Sequence, residues 1–97
     1  MAKLTITPIA REDLKEIGRY TQRTWGAPQR NAYLSDFAIV FERLRTGSAR
    51  GRNQFEVGEG IISHPCNRHM IFFRRDSKGD VEILRILHER MDFMRHF

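Results

Sequence analysis

The segment His69 to Arg75 reads His-Met-Ile-Phe-Phe-Arg-Arg, with four large apolar side chains in succession. Turn signals close it on both sides, Asn67-Arg68 before it and Asp76-Ser77-Lys78-Gly79 after it. As a strand it sends neighbouring side chains to opposite sides, so Met70 and Phe72 take one face while Ile71 and Phe73 take the other. The strand expected next, Asp80 to Leu87, is two-sided as well. Strict alternation puts Val81, Ile83 and Leu87 with Arg85, and Leu84 and Ile86 with Glu82 and His88. A half-solvated antiparallel sheet is apolar on one face only, so this chain must cover its sheet twice.

One covering layer is legible upstream. Lys3 to Thr7 alternates as a short strand, and Thr7 then caps a helix that opens on Pro8. Ala10, Leu14, Ile17, Thr21 and Trp25 form its apolar side, and Gly26 ends it. A second helix from Pro28 carries Tyr33, Phe37, Val40, Phe41 and Leu44 at three- and four-residue steps, a stripe that suits core packing. The short connection makes the two helices an antiparallel hairpin.

Gly47 to Gln54 has neither period and reads as a basic loop. Short strands follow at Phe55 to Val57, then after Gly58-Glu59-Gly60 at Ile61 to Cys66, leading into the two strands already described. Helices followed by strands, without regular alternation, predict an α+β fold: an N-terminal strand, an antiparallel two-helix hairpin, and a C-terminal antiparallel β-meander. Glu89 to Phe97 forms a short tail or helix, with Met91, Met94 and Phe97 on one side. The hairpin covers one sheet face and the tail part of the other. Either tail and hairpin together bury the whole apolar surface, or what is left over is a groove for another polypeptide, the reading expected here.

At 97 residues the chain is expected to be one domain, 1–97. Cys66 is the single cysteine, so no internal disulfide exists, and the first residues hold no apolar run of signal-peptide or membrane-spanning length. A cytoplasmic protein without membrane association is expected. The +5 net charge is uneven: seven basic residues between Arg43 and Arg75 face two acids. That bias suits an acidic partner, either nucleic acid, a nucleic-acid enzyme or an acidic protein segment, although a solvated basic surface fits it too.

Cys66 has no metal spacing with His64 or His69 and no adjacent base, and Gly47, Gly51, Gly58 and Gly60 lack the pattern and the lysine of a phosphate-binding loop. No metal, no cofactor and no nucleotide hydrolysis are expected. RNA cleavage by acid–base catalysis needs a proton acceptor, a proton donor and cations, roles for which His88, Arg85 and Arg90, with Arg74 and Glu56, are the available groups. For His88 a hydrogen-bonded structural role competes with that reading.

Taken in order, these features resemble the ParE toxins and, more broadly, the RelE/ParE superfamily, over nearly the whole chain. The segments that carry the likeness are Ala10, Asp13-Leu14 and Ile17, Tyr20-Thr21, Trp25-Gly26, the Tyr33/Phe37/Phe41/Leu44 stripe and Gly51-Arg52. Most specific are Arg68 to Phe73 and the ending Glu82-Ile-Leu-Arg-Ile-Leu-His-Glu-Arg-Met-Asp92. The resemblance implies a helical hairpin on a small antiparallel sheet, with the first strand beside the C-terminal strands. It implies the toxin of a type II toxin–antitoxin system, associated with plasmid stabilisation and growth arrest, held in a hetero-oligomer with a ParD-like antitoxin. The implied target is DNA gyrase, inhibited by binding and without enzymatic turnover, and no sequence-specific DNA binding by the toxin itself. The RelE branch instead cuts messenger RNA on the ribosome. One departure is that Ile61-Ile62 stands where both branches commonly place an arginine, which counts against ribonuclease chemistry and leaves a non-toxic, antitoxin-binding member as a further possibility.

Two residue groups follow as candidate surfaces. Arg68, Arg74, Arg85, His88 and Arg90 are expected to face the target. Leu14, Trp25, Arg50, Arg52, Phe72 and Ile86 are expected to face the antitoxin.

Overall fold

A computed structural model describes residues 1–97. Its elements are β1 (Leu4–Ile6), α1 (Pro8–Trp25), α2 (Ala27–Thr46), β2 (Arg52–Asn53), β3 (Ile62–Cys66), β4 (His69–Arg75), β5 (Val81–His88) and a C-terminal 3₁₀ segment (Phe93–His96). The five strands form one sheet in the order β1-β5-β4-β3-β2. β1 runs parallel to β5, the other pairs are antiparallel, and the two helices pack across one face. The α+β architecture expected from the sequence is the one observed.

The helix boundaries follow from local chemistry. The Thr7 hydroxyl accepts the Ala10 amide at 3.2 Å, and Pro8 enters α1 with its φ already helical. Gly26, at φ +94°, ends α1 and starts α2 with a single residue, so α2 begins at Ala27, one position before Pro28. A glycine at φ +83°, Gly47, ends α2 in the left-handed conformation.

Two expectations fail after α2. The segment read as a loop contains β2, with Arg52 opposite Ser63 and Asn53 opposite Ile62. Phe55 to Val57, expected as a strand, is a turn. Its Val57 and Gly58 amides both bond to the Gln54 carbonyl, and Ile61 N–H bonds back to Gly58. The chain reverses at Gln54 to Gly60, which spends on the turn the residues that would have paired; the strand therefore sits just before it.

A bulge in β5 corrects the predicted faces. Phe72 lies opposite Arg85 while the next residue, Phe73, lies opposite Ile83, so Leu84 is an extra residue in β5. Alternation shifts phase there. Val81, Ile83 and Ile86 all face the helices, and Leu84 and Leu87 face away.

The helix-side core joins Ala10, Ile17, Phe37 and Leu44 to Ile71, Phe73, Val81, Ile83 and Ile86. On the far face Ile61, Phe72 and Leu87 form a second cluster with Val57, Met70, Leu84 and Phe93. The tail closes this face. Phe93 and Phe97 meet the Phe72 ring edge-on, with centroids 4.8 and 5.1 Å away, and Phe72 is 0% exposed. The bare sheet groove expected from the sequence is thus filled by the chain's own tail and by the turn carrying Val57. The tail docks through Phe93 and Phe97 and not through the expected Met91 and Met94, which stay in water together with Ile9, Tyr20 and Trp25 on α1, Ile39 on α2 and Phe55 in the turn.

Candidate functional site

The β4–β5 hairpin closes at Asp76–Asp80 and opens at its other end, where His69 lies opposite His88. There the fold gathers polar groups from α2, β4, β5 and the segment that follows. Tyr33 of α2 brings its hydroxyl within 2.9 Å of His69 Nδ1. The His69 and His88 rings meet edge to face with centroids 5.2 Å apart, and Phe37 packs on His69 from the helix side. The Arg90 amide donates to His88 Nδ1 at 3.1 Å, so neutral His88 keeps its proton on Nε2. Arg68, on the tight turn before β4, stands 3.8 Å from Glu89, and both are largely exposed.

Burial sets the protonation states. Desolvation, reinforced by the neighbouring His88, pushes His69 down to about 4, with Glu89 and Asp13 opposing weakly. At neutral pH it is an uncharged imidazole. The Tyr33 phenol is raised above its ordinary value by burial, partly offset by the Arg68 backbone. Burial, and then Asp36, push the Cys66 thiol up to about 11, which keeps it protonated and a poor nucleophile. No cluster of three or more His, Cys, Asp or Glu side chains is arranged to hold a metal ion.

Of the expected target-facing residues, the structure brings together Arg68, His88 and Arg90. Arg85 is set apart by its bonding. Its Nε and Nη2 bind both carboxylate oxygens of Asp13 at 2.9 and 3.0 Å, and its Nη1 donates to the His96 carbonyl at 3.0 Å. This guanidinium, its pKa raised by the Asp13 hydrogen bonds, joins α1, the β5 bulge and the tail. Arg74 is also separated, because it lies opposite Glu82 near the closed end of the hairpin. A strand several residues long, at about 3.3 Å per residue, divides it from His88.

The expected antitoxin-facing residues divide as well. Leu14 lines an open apolar cleft of about 310 Å³ between the helices, with Leu34, Phe37, Ala38 and Phe41. Trp25 is 70% exposed at the end of α1, and Arg50 and Arg52 are exposed beside β3. Phe72 and Ile86 present no surface: Phe72 lies under the tail rings, and Ile86 is turned by the bulge beneath the helices. Sequence reasoning missed Tyr33 and His69 as members of the polar cluster. Hairpin register held the signal for His69, since two strands closing on one tight turn set their outer ends opposite each other.

A helical hairpin laid across one face of a β1-β5-β4-β3-β2 sheet is an α+β architecture that solved toxin–antitoxin structures share. The family model described as the ParE toxin of the type II toxin–antitoxin system parDE matches residues 4–93, and the chain belongs to that family. It is similar to Toxin ParE of Escherichia coli, 32% identical over 94 residues that span 97% of this chain and 91% of that one. Toxin ParE1 of Mycobacterium tuberculosis H37Rv is 28% identical over 98% of this chain and 97% of its own length. Among solved structures, the chromosomal ParDE system of P. aeruginosa shares the fold with a TM-score of 0.77 at 21% identity, covering 91% of this chain and 96% of that chain. The toxin–antitoxin complex RelBE2 of M. tuberculosis shares it with a TM-score of 0.58 at 23% identity, covering 90% and 96%. No helix of the chain is long and apolar enough to cross a membrane.

Proposed function

We propose that this ParE-family toxin acts in the cytoplasm by binding and inhibiting DNA gyrase, without turnover, and that a cognate ParD-like antitoxin neutralises it. The observation that carries the non-enzymatic reading is the chemistry of the polar end. His69 is uncharged at neutral pH, the Cys66 thiol is protonated, and the Arg85 guanidinium is committed to Asp13. What remains outward there is Arg68, His88 and Arg90, a set suited to gripping an acidic surface. The antitoxin takes the Leu14 cleft and Trp25, with Arg50 and Arg52 drawing its acidic residues. A supercoiling assay with purified gyrase tests this reading: supercoiling is lost and cleaved DNA accumulates, and Arg68→Ala/Arg90→Ala weakens the effect at least tenfold. Undisturbed supercoiling at micromolar toxin overturns it.

One observation favours a second reading. His88, Arg68 and Arg90 converge at one end, which supplies a proton carrier and cations for ribosome-dependent messenger RNA cleavage. That reading requires transcript cleavage on expression, abolished by His88→Ala. A third, a member that binds its antitoxin but poisons nothing, draws on Ile62, whose aliphatic side chain packs against the helix-side core where the family's arginine would stand. Harmless expression without an antitoxin would support it.

A further inference from the structure

The opposite end of the molecule has a different character. The Asp76–Asp80 turn, the start of β1, the C-terminus of α2 and the chain leading to β2 converge there, since Arg45 of α2 reaches the Ala2 carbonyl and Arg75 of β4 reaches the Leu44 carbonyl. Besides Arg45, which pairs with Glu42, seven cations belong to these segments: Lys3, Arg43, Arg50, Arg52, Arg74, Arg75 and Lys78. None of them forms an ion pair with a carboxylate. The acids of the turn are occupied by amides, Asp76 by those of Lys78 and Asp80, and Asp80 by that of Lys3. Glu56, Glu59 and Glu82 stay unpaired nearby, and with Asp76 and Asp80, which keep their charge under those amide hydrogen bonds, they set five carboxylates against the seven cations.

Arg75 organises this end. Its guanidinium lies over the Phe73 ring, 5.8 Å from the centroid, and one nitrogen is fixed on Leu44 O, which leaves further N–H groups for a ligand in a fixed plane. It lines two shallow clefts, one of about 360 Å³ with Arg50 and Asn53 and no acid, the other of about 440 Å³ where Lys3 and Arg74 stand beside Asp76, Asp80 and Glu82. A protein partner needs apolar anchors at the centre of its interface, and these clefts offer few. Nucleic-acid interfaces are polar, rich in arginine and positive. The one large aromatic in water nearby is Phe55, because the turn that holds it precedes β3 at the end where β4 finishes.

We propose that this end is a sequence-independent docking surface for the phosphodiester backbone of a nucleic acid, with Arg75 fixed between the flanking cations. The proposal goes beyond the gyrase reading and does not rest on it, because binding by the isolated chain needs no gyrase.

Fluorescence anisotropy of the purified protein with labelled duplex DNA of two unrelated sequences tests it. Both sequences bind with equal affinity. For about five neutralised phosphates, affinity falls roughly 10²- to 10³-fold between about 50 and 200 mM salt. Arg50→Gln/Arg52→Gln/Arg74→Gln, all exposed and so compatible with folding, lowers the salt slope by about three neutralised phosphates. Arg11→Gln/Arg23→Gln on α1 leaves the slope alone. Tighter binding of a single-stranded oligonucleotide, reduced to the duplex level by Phe55→Ala, keeps the backbone assignment and adds base stacking. The proposal is overturned by absence of binding at low salt, by equal losses in both multiple variants, or by polyglutamate binding as tightly as DNA.

Discussion

Arg85 and Asp13 lie 72 residues apart in the chain and meet as a two-pronged ion pair, at 2.9 and 3.0 Å, under the N-terminal half of α1. Asp13 Oδ2 also accepts the Ile86 amide at 2.9 Å, so one carboxylate ties the helix to the strand just after the β5 bulge. The side chains are 15% and 14% exposed, and each partner removed strands the other in a poorly hydrated position.

Asp13→Ala is therefore expected to be the more damaging half of the pair. It leaves Arg85 unpaired and the Ile86 amide without its acceptor, a loss of about 2–4 kcal/mol. Arg85→Ala leaves Asp13 its Ile86 bond and loses less. Urea unfolding of both variants checks the order. Activity lost by Arg85→Ala should be regained by any second substitution that restores stability, which a target-contacting arginine would not allow.

Stability should fall on mild acidification because of His69. Above about pH 6.5 this residue is neutral in both folded and unfolded chains. Between that pH and about 4 the unfolded chain binds a proton that the folded chain excludes, so the stabilisation is lost as pH falls through this window. The limit is about 3 kcal/mol. Urea midpoints at pH 7 and pH 4 for the native chain and for His69→Gln, which keeps an acceptor for Tyr33 but does not titrate, isolate the effect. Parallel pH dependence in the two proteins would refute it.

These two sites show where the sequence was informative and where it was not. Thr7-Pro8, Gly26 and the aromatic stripe through Phe37 and Leu44 are local signals, and they delivered both helices to within a residue. The faces of β4 were also correct, because simple alternation holds from Met70 to Phe73. Alternation failed in β5 because a bulge is a relation between two strands, and neither Leu84 nor Arg85 carries a local mark of it. That one residue moved Ile86 under the helices, while Arg85, an expected target contact, is an internal brace because α1 sets Asp13 beside it. β2 was missed for a related reason: Arg52-Asn53 has no strand pattern and pairs only because β3 is there to receive it.

The tail should behave as part of the core. Phe93 and Phe97 close over Phe72, and Arg85 holds the His96 carbonyl. Phe93→Ala/Phe97→Ala should uncover Phe72, Leu87 and Ile61, raising the binding of a hydrophobic dye and lowering stability by about 2–4 kcal/mol. Phe72→Ala alone should lose about 3–5 kcal/mol. Unchanged dye binding in the double variant would mean that the tail is not what covers this face.

Two glycines on either side of Ala49 should answer differently to the same substitution. A Cβ on Gly51 would stand 2.2 Å from Ile62 Cγ2 and 2.7 Å from the Ser63 carbonyl oxygen, inside the strand that receives β2. Backbone must move to admit it, and Ile62 and Phe73 of the helix-side core move with it. At Gly47 a Cβ meets nothing within 4 Å, and the only penalty is its φ of +83°. Gly47→Ala should lower stability by about 1 kcal/mol, the ordinary penalty of the left-handed conformation. Gly51→Ala should lose roughly 2–3 kcal/mol, as overpacking beside a core does. Thermal melts of the two variants compare them directly. Equal shifts would show that β2 is free to move away from β3, which would also remove the fixed placement of Arg50 and Arg52 beside the sheet edge.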